Sequence, residues 1–179
     1  WTEADGLVDL GDLPAGSDDS VATGVSGDGA VIVGAGSAAG AKAFRWTAAN
    51  GMQELVDSLL LSAASAVSAD GTTAVGFSGT TLAVQLPTAW RPDGMGGFEV
   101  DSLEELVGGL DEGVAYGASA DGTVVVGYSS STASGSAFEA VRWNDTAATP
   151  LGDLPGGAFA SEARAVSAEA VVRYRNTSS

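Results

Sequence analysis

Residues 66–76 read Ala-Val-Ser-Ala-Asp-Gly-Thr-Thr-Ala-Val-Gly: a short apolar run, a polar turn, and a second apolar run that ends in glycine. Residues 24–34 and 117–127 repeat the pattern as Gly-Val-Ser-Gly-Asp-Gly-Ala-Val-Ile-Val-Gly and Gly-Ala-Ser-Ala-Asp-Gly-Thr-Val-Val-Val-Gly. An Asp-Gly pair between apolar runs is a strong hairpin signal, because glycine accepts the positive φ that primed turns require. Each copy therefore predicts two antiparallel strands joined by a tight turn.

These copies belong to a longer unit with a nearly constant period. The tryptophans are Trp1, Trp46, Trp90 and Trp143, at spacings of 45, 44 and 53 residues. The serines that precede the turns are Ser26, Ser68, Ser119 and Ser167, at spacings of 42, 51 and 48 residues. A period in this range indicates one supersecondary unit repeated along the chain, each copy burying its apolar face against its neighbours.

The first complete copy contains signals for four strands. They are residues 21–26, 30–34, 41–47 and 52–56. The equivalent second strands of the next two copies are expected at 72–76 and 123–127. Phe44 and Trp46 lie two residues apart, so they share one face of their strand.

Four antiparallel strands in about 45 residues match one blade of a β-propeller. The sequence thus predicts an all-β propeller of four-stranded antiparallel blades, with four blades in all. We expect Trp46, Trp90 and Trp143 to be buried in it.

The predicted domain organisation is a single repeat domain that covers residues 1–179. It divides into a half-blade (1–16), three repeats (17–60, 61–108 and 109–157) and a second half-blade (158–179). The N-terminal half-blade ends in a strand at 7–13, and the C-terminal one holds strands at 163–166 and 171–174. Two topologies fit: a closed ring in which the two ends form one composite blade without a free edge, or a slice of a larger propeller.

The two ends carry further signals. The last copy replaces Asp-Gly with Glu169-Ala170, as expected either of a capping repeat or of an altered gene end. The chain opens on Trp1 and shows no signal peptide, so we expect it to be a processed part of a longer product.

Composition excludes several function classes. The chain has 23 Asp and Glu against 7 Lys and Arg, a net charge of −16, so it repels nucleic acid and anionic membrane surfaces. No run approaches the roughly 18 apolar residues of a membrane-spanning helix, so membrane insertion is not expected. There is no Cys and no His, which removes disulfides, thiolate chemistry and the commonest general base and metal ligand.

The aspartates of the turns are the first candidate ligands. Asp28, Asp70 and Asp121 occupy equivalent positions and could bind calcium, as could Asp18 and Asp19 in an acidic loop. One aspartate per hairpin, however, is what turn formation itself requires. We therefore predict no metal site and no cofactor, and we expect stability to rise with salt because screening weakens repulsion between like charges.

Other side chains also have a structural and a functional interpretation. The tryptophans could stack on sugars, but their place in alternating strands favours the core. Lys42 is the only amine that could serve a serine nucleophile, and no Ser-x-x-Lys motif surrounds it. The irregular part of the chain contains Glu104-Glu105 and Asp111-Glu112, and repeat proteins tend to place function where the repeat is irregular. We predict no catalytic residue, and the ligand-binding residues stay unknown.

The consensus resembles the bacterial extracellular repeats named for a His-Ala-Phe tripeptide, the HAF family. The matching segments are Lys42-Ala43-Phe44-Arg45-Trp46, Gly51-Met52-Gln53-Glu54-Leu55, Gly11-Asp12-Leu13-Pro14, Leu151-Gly152-Asp153-Leu154-Pro155 and Val25-Ser26-Gly27-Asp28-Gly29. The histidine of the motif is absent from every copy. The resemblance implies a secreted or surface-displayed protein and no known catalytic residues.

Two functions follow as hypotheses. The favoured one is a non-catalytic extracellular repeat module, a scaffold for adhesion or ligand contact whose extracellular or cell-surface partner is unknown. The alternative is a secreted carbohydrate-active enzyme with a carboxylate pair at one end of the propeller.

Overall fold

The computed structural model describes residues 6–14, 16–38, 40–56, 58–132, 138–153, 160–169 and 172–176, and these residues contain strands and no helix. The strands are β1 (Ser20–Val25), β2 (Val31–Ala38), β3 (Gly40–Thr47), β4 (Gly51–Glu54), β5 (Leu61–Val67), β6 (Ala74–Thr81), β7 (Val84–Pro92), β8 (Phe98–Ser102), β9 (Gly113–Ala118), β10 (Val124–Ser130), β11 (Phe138–Asn144), β12 (Ala147–Pro150), β13 (Ser161–Val166) and β14 (Val172–Asn176). Trp1, residue 171 and residues 177–179 lie outside the described residues.

The strands form consecutive antiparallel meanders. We call β1–β4 the first sheet, β5–β8 the second sheet and β9–β12 the third sheet, and β13 pairs with β14. The prediction of an all-β chain with four-stranded antiparallel sheets is confirmed. The second strands begin slightly later than expected, at Ala74 and Val124, because the preceding residues belong to the turn.

The opening hairpin of each meander has the same irregularity. The register of the first strand against the second shifts once, and the residue skipped is Thr23, Ser65, Tyr116 or Arg164. Such a bulge bends the strand and increases its twist. The last hairpin therefore keeps the geometry of the others, although its sequence has lost the Asp-Gly pair.

The glycine that ends each Val-Gly motif has a packing reason. A Cβ on Gly34, Gly76 or Gly127 would lie 1.9–2.0 Å from a carbonyl oxygen of the neighbouring first strand. Glycine is therefore required here by the close approach of two backbones, which explains why the motif recurs.

The sheets stack in chain order, and the tryptophans of the second and third sheets face the sheet before them. Trp90 packs on Val33 and Leu55 of the first sheet and its following segment. Trp143 packs on Val75 and Leu103 of the second in the same way. Both indoles are fully buried, as predicted.

Trp46 departs from that prediction because it is only partly buried. It faces away from the second sheet and packs on Leu10, Leu13, Phe44 and Met52. Since no complete described sheet precedes the first one, the indole keeps part of its surface exposed.

The predicted strand at 7–13 is wrong, since residues 7–13 form no strand. Gly11 has a φ of 75°, and its amide donates to the Asp9 carboxylate over 2.9 Å, which turns the chain. Leu13 is buried against the first sheet. Leu13 of this segment packs with Trp46 of the following sheet, just as Leu55 packs with Trp90 and Leu103 packs with Trp143.

The first strands of successive meanders lie side by side. The Thr23 hydroxyl donates to the carbonyl of Ala64 over 2.7 Å, and the Asp70 amide donates to the carbonyl of Ala120 over 3.0 Å. This succession of β1, β5, β9 and β13 along one common edge is a β-propeller-like arrangement. At its beginning, Val21 and Val25 of β1 are 60% and 58% exposed.

Candidate functional site

The turn aspartates are held in a hydrogen-bonded clasp. In the third sheet, the Ser119 hydroxyl donates to Asp121 Oδ1 (2.7 Å), and the Thr123 amide donates to the same oxygen (3.1 Å). The Val124 amide then donates to Ser119 Oγ (3.0 Å). The same bonds join Ser26 to Asp28 and Ser68 to Asp70, so the recurring serine is the centre of each turn.

The turns are not the primed two-residue turns that the Asp-Gly pairs suggested. Gly29, Gly71 and Gly122 have φ values of 70–75°, but the aspartates before them do not have positive φ. A primed type I turn needs positive φ at both central residues. Instead, the Gly122 amide donates to the Ser119 carbonyl and closes a turn whose central residues are Ala120 and Asp121. Gly122 follows this turn, and its positive φ directs the chain into the second strand.

The clasp also changes the acidity of the aspartates. Bonds from Ser119 and Thr123 lower the pKa of Asp121 to about 2, and the bond from Ser26 lowers the pKa of Asp28. For Asp70, burial works in the opposite direction, but its hydrogen bonds prevail and the pKa is lowered. These carboxylates therefore accept hydrogen bonds from residues of their own turns.

The remaining candidates of the sequence are dispersed. Asp18 and Asp19 are exposed before β1. Lys42 donates to the carbonyl of Leu59 over 2.7 Å, and its Nζ lies 3.7 Å from Glu54. Within the described ranges, no three Asp or Glu side chains are close enough to hold a metal ion.

The irregular segment that joins the second and third sheets forms a cavity of about 320 Å³ with the third sheet. Its wall contains Glu104, Glu105, Leu106, Val107, Ser131, Thr132, Glu139, Ala148 and Pro150. The cavity therefore places three carboxylates and two hydroxyls around an apolar wall. We call it the acidic cavity.

The segment that bears Glu104 and Glu105 is fixed to the third sheet. Trp143 Nε1 donates to the carbonyl of Glu104 over 2.7 Å. The Leu110 amide donates to Ser130 Oγ over 2.7 Å, and the Thr132 hydroxyl donates to the carbonyl of Val107 over 3.0 Å. This wall of the acidic cavity is thus held in place by the sheet before any ligand arrives.

The carboxylates of the cavity differ in their surroundings. Glu139 is only 4% exposed, and the Ser131 hydroxyl donates to its Oε2 over 2.6 Å. Glu105 has a buried Oε1 with no hydrogen-bond partner. Burial, and then the negative charge of Asp111, raise the pKa of Glu105.

The sequence indicated part of this site. The irregular acids Glu104 and Glu105 line the cavity. Asp111 and Glu112 lie outside the lining and act on the pKa of Glu105, Asp111 chiefly through its charge and Glu112 through its backbone. Sequence reasoning missed Glu139. The available signal was a charged residue inside Phe138-Glu139-Ala140-Val141, where the flanking pattern is that of a buried strand.

Comparisons with known proteins give little further direction. No family model and no curated protein matches the sequence. Among solved structures, the chain is similar to TolB from Acinetobacter baumannii, with a TM-score of 0.47 and 15% identity over 72% of this chain. The chain spans 30% of the TolB chain. None of the described residues belongs to a helix long and apolar enough to cross a membrane.

Proposed function

We propose that this chain is a non-catalytic extracellular repeat module that binds a ligand or surface partner through the irregular part of the repeat. The observation that carries the proposal is the contrast between two groups of acids. Asp28, Asp70 and Asp121 accept hydrogen bonds within their own turns, although Asp121 also borders a second cavity of about 480 Å³. Glu105 and Glu139 instead line the acidic cavity, which the irregular loop forms with the third sheet. A repeat scaffold in which an irregular loop forms a concave site suits binding.

The resemblance to the HAF repeats supports an extracellular or cell-surface location as part of the same proposal. The motif residues have structural roles that suit a repeat scaffold: Phe44 is a core residue of the first sheet, and the Ser26-Asp28 pair forms a turn.

The number of sheets in the ring belongs to the proposal as well. In a closed ring of four, the bulge of β13 would lie next to β1, just as Thr23 lies next to Ala64. Because the chain has no Cys, a variant with Arg164→Cys and Ala22→Cys tests this arrangement. A disulfide between the two cysteines within one monomer would establish that the ring is closed.

The control variant carries Thr23→Cys with Ala64→Cys, two positions that lie side by side. A disulfide in the control alone would favour a slice of a larger propeller.

A second candidate function is a carbohydrate-active enzyme that uses a carboxylate pair. The observation in its favour is Glu105, whose raised pKa suits a proton donor, in one cavity with Glu139. This hypothesis requires an ionised partner carboxylate on the other side of the substrate.

One parallel screen decides between the two functions. The intact chain is tested for binding to a glycan array and for hydrolysis of the same glycans. Binding without turnover supports the module. Turnover that is lost in both Glu105→Gln and Glu139→Gln, but retained in the surface variant Glu99→Gln, would replace it with the enzyme.

A further inference from the structure

Glu139 is a buried carboxylate without a positive partner among the described residues. It is 4% exposed, and its one described hydrogen bond comes from the neutral Ser131 hydroxyl. The ion pairs of the described residues join other acids: Glu54, Asp101 and Glu162. Burying a carboxylate is costly unless it is paired, and a bound cation would supply that pairing.

We propose that the acidic cavity binds a primary ammonium group, carried by an amino sugar or by a lysine side chain. This inference rests on the proposed binding function and names its ligand class. Ser131 occupies Oε2 of Glu139, and no described residue donates to its Oε1, which leaves that oxygen for the ligand.

The lining of the cavity contains further hydrogen-bond acceptors for the three donors of an ammonium group. Glu105 contributes a buried Oε1 that has no hydrogen-bond partner. Thr132 adds a hydroxyl to the same lining, and Glu104 adds an exposed carboxylate. Hydrogen bonds between an ammonium group and a carboxylate are roughly twice as strong as neutral ones.

Size and wall chemistry favour an organic cation. The volume of about 320 Å³ lies at the lower end of small-molecule pockets, which suits one sugar ring or one extended side chain. Leu106, Ala148 and Pro150 supply an apolar wall for the carbon frame. A metal ion fits less well, because no three acids among the described residues are close enough to ligate one.

The test uses two ammonium probes and their neutral counterparts. Glucosamine and Nα-acetyl-lysine amide are titrated into the intact chain and followed by NMR, in about 0.15 M sodium chloride to screen the general field. The matched neutral compounds are N-acetylglucosamine and Nα,Nε-diacetyl-lysine amide. We expect saturable binding of an ammonium probe and about tenfold weaker binding of its acetylated form. The tighter of the two probes identifies the source of the ammonium group.

Variants separate the cavity from the general negative charge. Glu139→Gln should weaken binding of the better probe about tenfold or more, since it removes the buried charge. The control Glu99→Gln changes the net charge equally on an exposed strand position and should leave the affinity nearly unchanged. Val107→Trp, at a position 88% exposed on the cavity rim, should block binding while sparing Glu139.

Each outcome is decisive. Equal binding of the acetylated compounds, or unchanged affinity in a folded Glu139→Gln chain, overturns the ammonium assignment. If Glu139→Gln does not fold, unchanged affinity in Val107→Trp has the same consequence. Glycan binding that persists without ammonium preference removes this inference alone, whereas absence of binding both in the glycan screen and to the two ammonium probes removes the proposed function.

Discussion

The turn from Ser119 to Val124 and the loop from Leu103 to Glu112 both lie beside the third sheet, and they use acids in opposite ways. In the turn, Asp121 accepts several bonds from groups within four residues of it, which lowers its pKa. In the loop, burial and the nearby charge of Asp111 raise the pKa of Glu105. The acid of the repeated motif stabilises its own turn, whereas the acid in the irregular loop is not needed for a turn and can interact with other groups.

The largest expected effect comes from Trp143, which connects the loop to the sheet. Trp143→Ala should destabilise the fold by about 3–5 kcal/mol, because it empties a buried site and removes the bond to the Glu104 carbonyl. Urea unfolding measures the loss. Trp46→Ala is the matched control and should cost less than half as much, since Trp46 is only partly buried. Equal losses would contradict the asymmetry between the first and third sheets.

The next effect tests the turn. Ser119→Ala should destabilise the chain by about 1–3 kcal/mol, because the buried Val124 amide loses its acceptor and Asp121 loses a donor. Ser26→Ala and Ser68→Ala should have similar effects, since their clasps have the same bonds. Thermal unfolding of the three variants, with exposed Ser17→Ala as control, checks this equivalence. A large effect in one turn only would indicate that its acid has a special role.

A smaller effect concerns the pH dependence of the turn aspartates. Because the pKa of Asp121 is about 2 in the folded chain, its ionised form adds stability above the unfolded pKa near 3.9. That contribution is lost as the pH falls from about 4 towards 2. The difference in melting temperature between wild type and Asp121→Asn should therefore shrink over this range. A difference that is constant with pH would mean that the carboxylate charge is not what the turn uses.

The smallest expected effect is the pH dependence of stability that Glu105 contributes in the loop, and its sign is opposite to that of Asp121. The folded pKa of Glu105 is raised, so the folded chain holds this proton more tightly and loses stability as the pH rises past the unfolded pKa, near 4.3. Glu105→Gln should then raise the melting temperature slightly at neutral pH and leave it nearly unchanged at pH 4. Exposed Glu99→Gln should show no such pH dependence. Destabilisation by Glu105→Gln at neutral pH would show that the carboxylate has a favourable partner in the fold.

Much of the fold was predictable because it depends on local patterns. The Asp70-Gly71 pair locates a turn, since the turn is closed by residues within the same short stretch. The tryptophan period indicated the succession of sheets. The segment 7–13 was misread, because its leucines resemble a strand while Gly11 and Asp9 turn the backbone. The primed turn was misread for a related reason: Ser68 accepts the Thr73 amide and closes a longer loop.

The candidate site was less predictable than the fold. Glu104 and Glu105 were noticeable because they interrupt the repeat, but Glu139 is separated from Glu105 by 34 residues of sequence. Only the stacking of the loop on β10 and β11 brings them to one cavity. The apolar residues that flank Glu139 indicate a buried strand, but they do not show that the glutamate itself is covered, because a strand alternates its faces and its sequence does not show what packs on each one.

The sequence by itself determined most of the strands, the positions of the turns and the four-stranded period, since hairpin formation depends on turn residues and alternation within a few positions. Tertiary structure alone decided three further properties. It left Trp46 only partly buried while it buried Trp90 and Trp143, it made Gly34 a point of backbone contact, and it enclosed Glu139 without a cation among the described residues. Burial and electrostatic environment depend on which sheet covers which face, and that is set by contacts between residues distant in the chain.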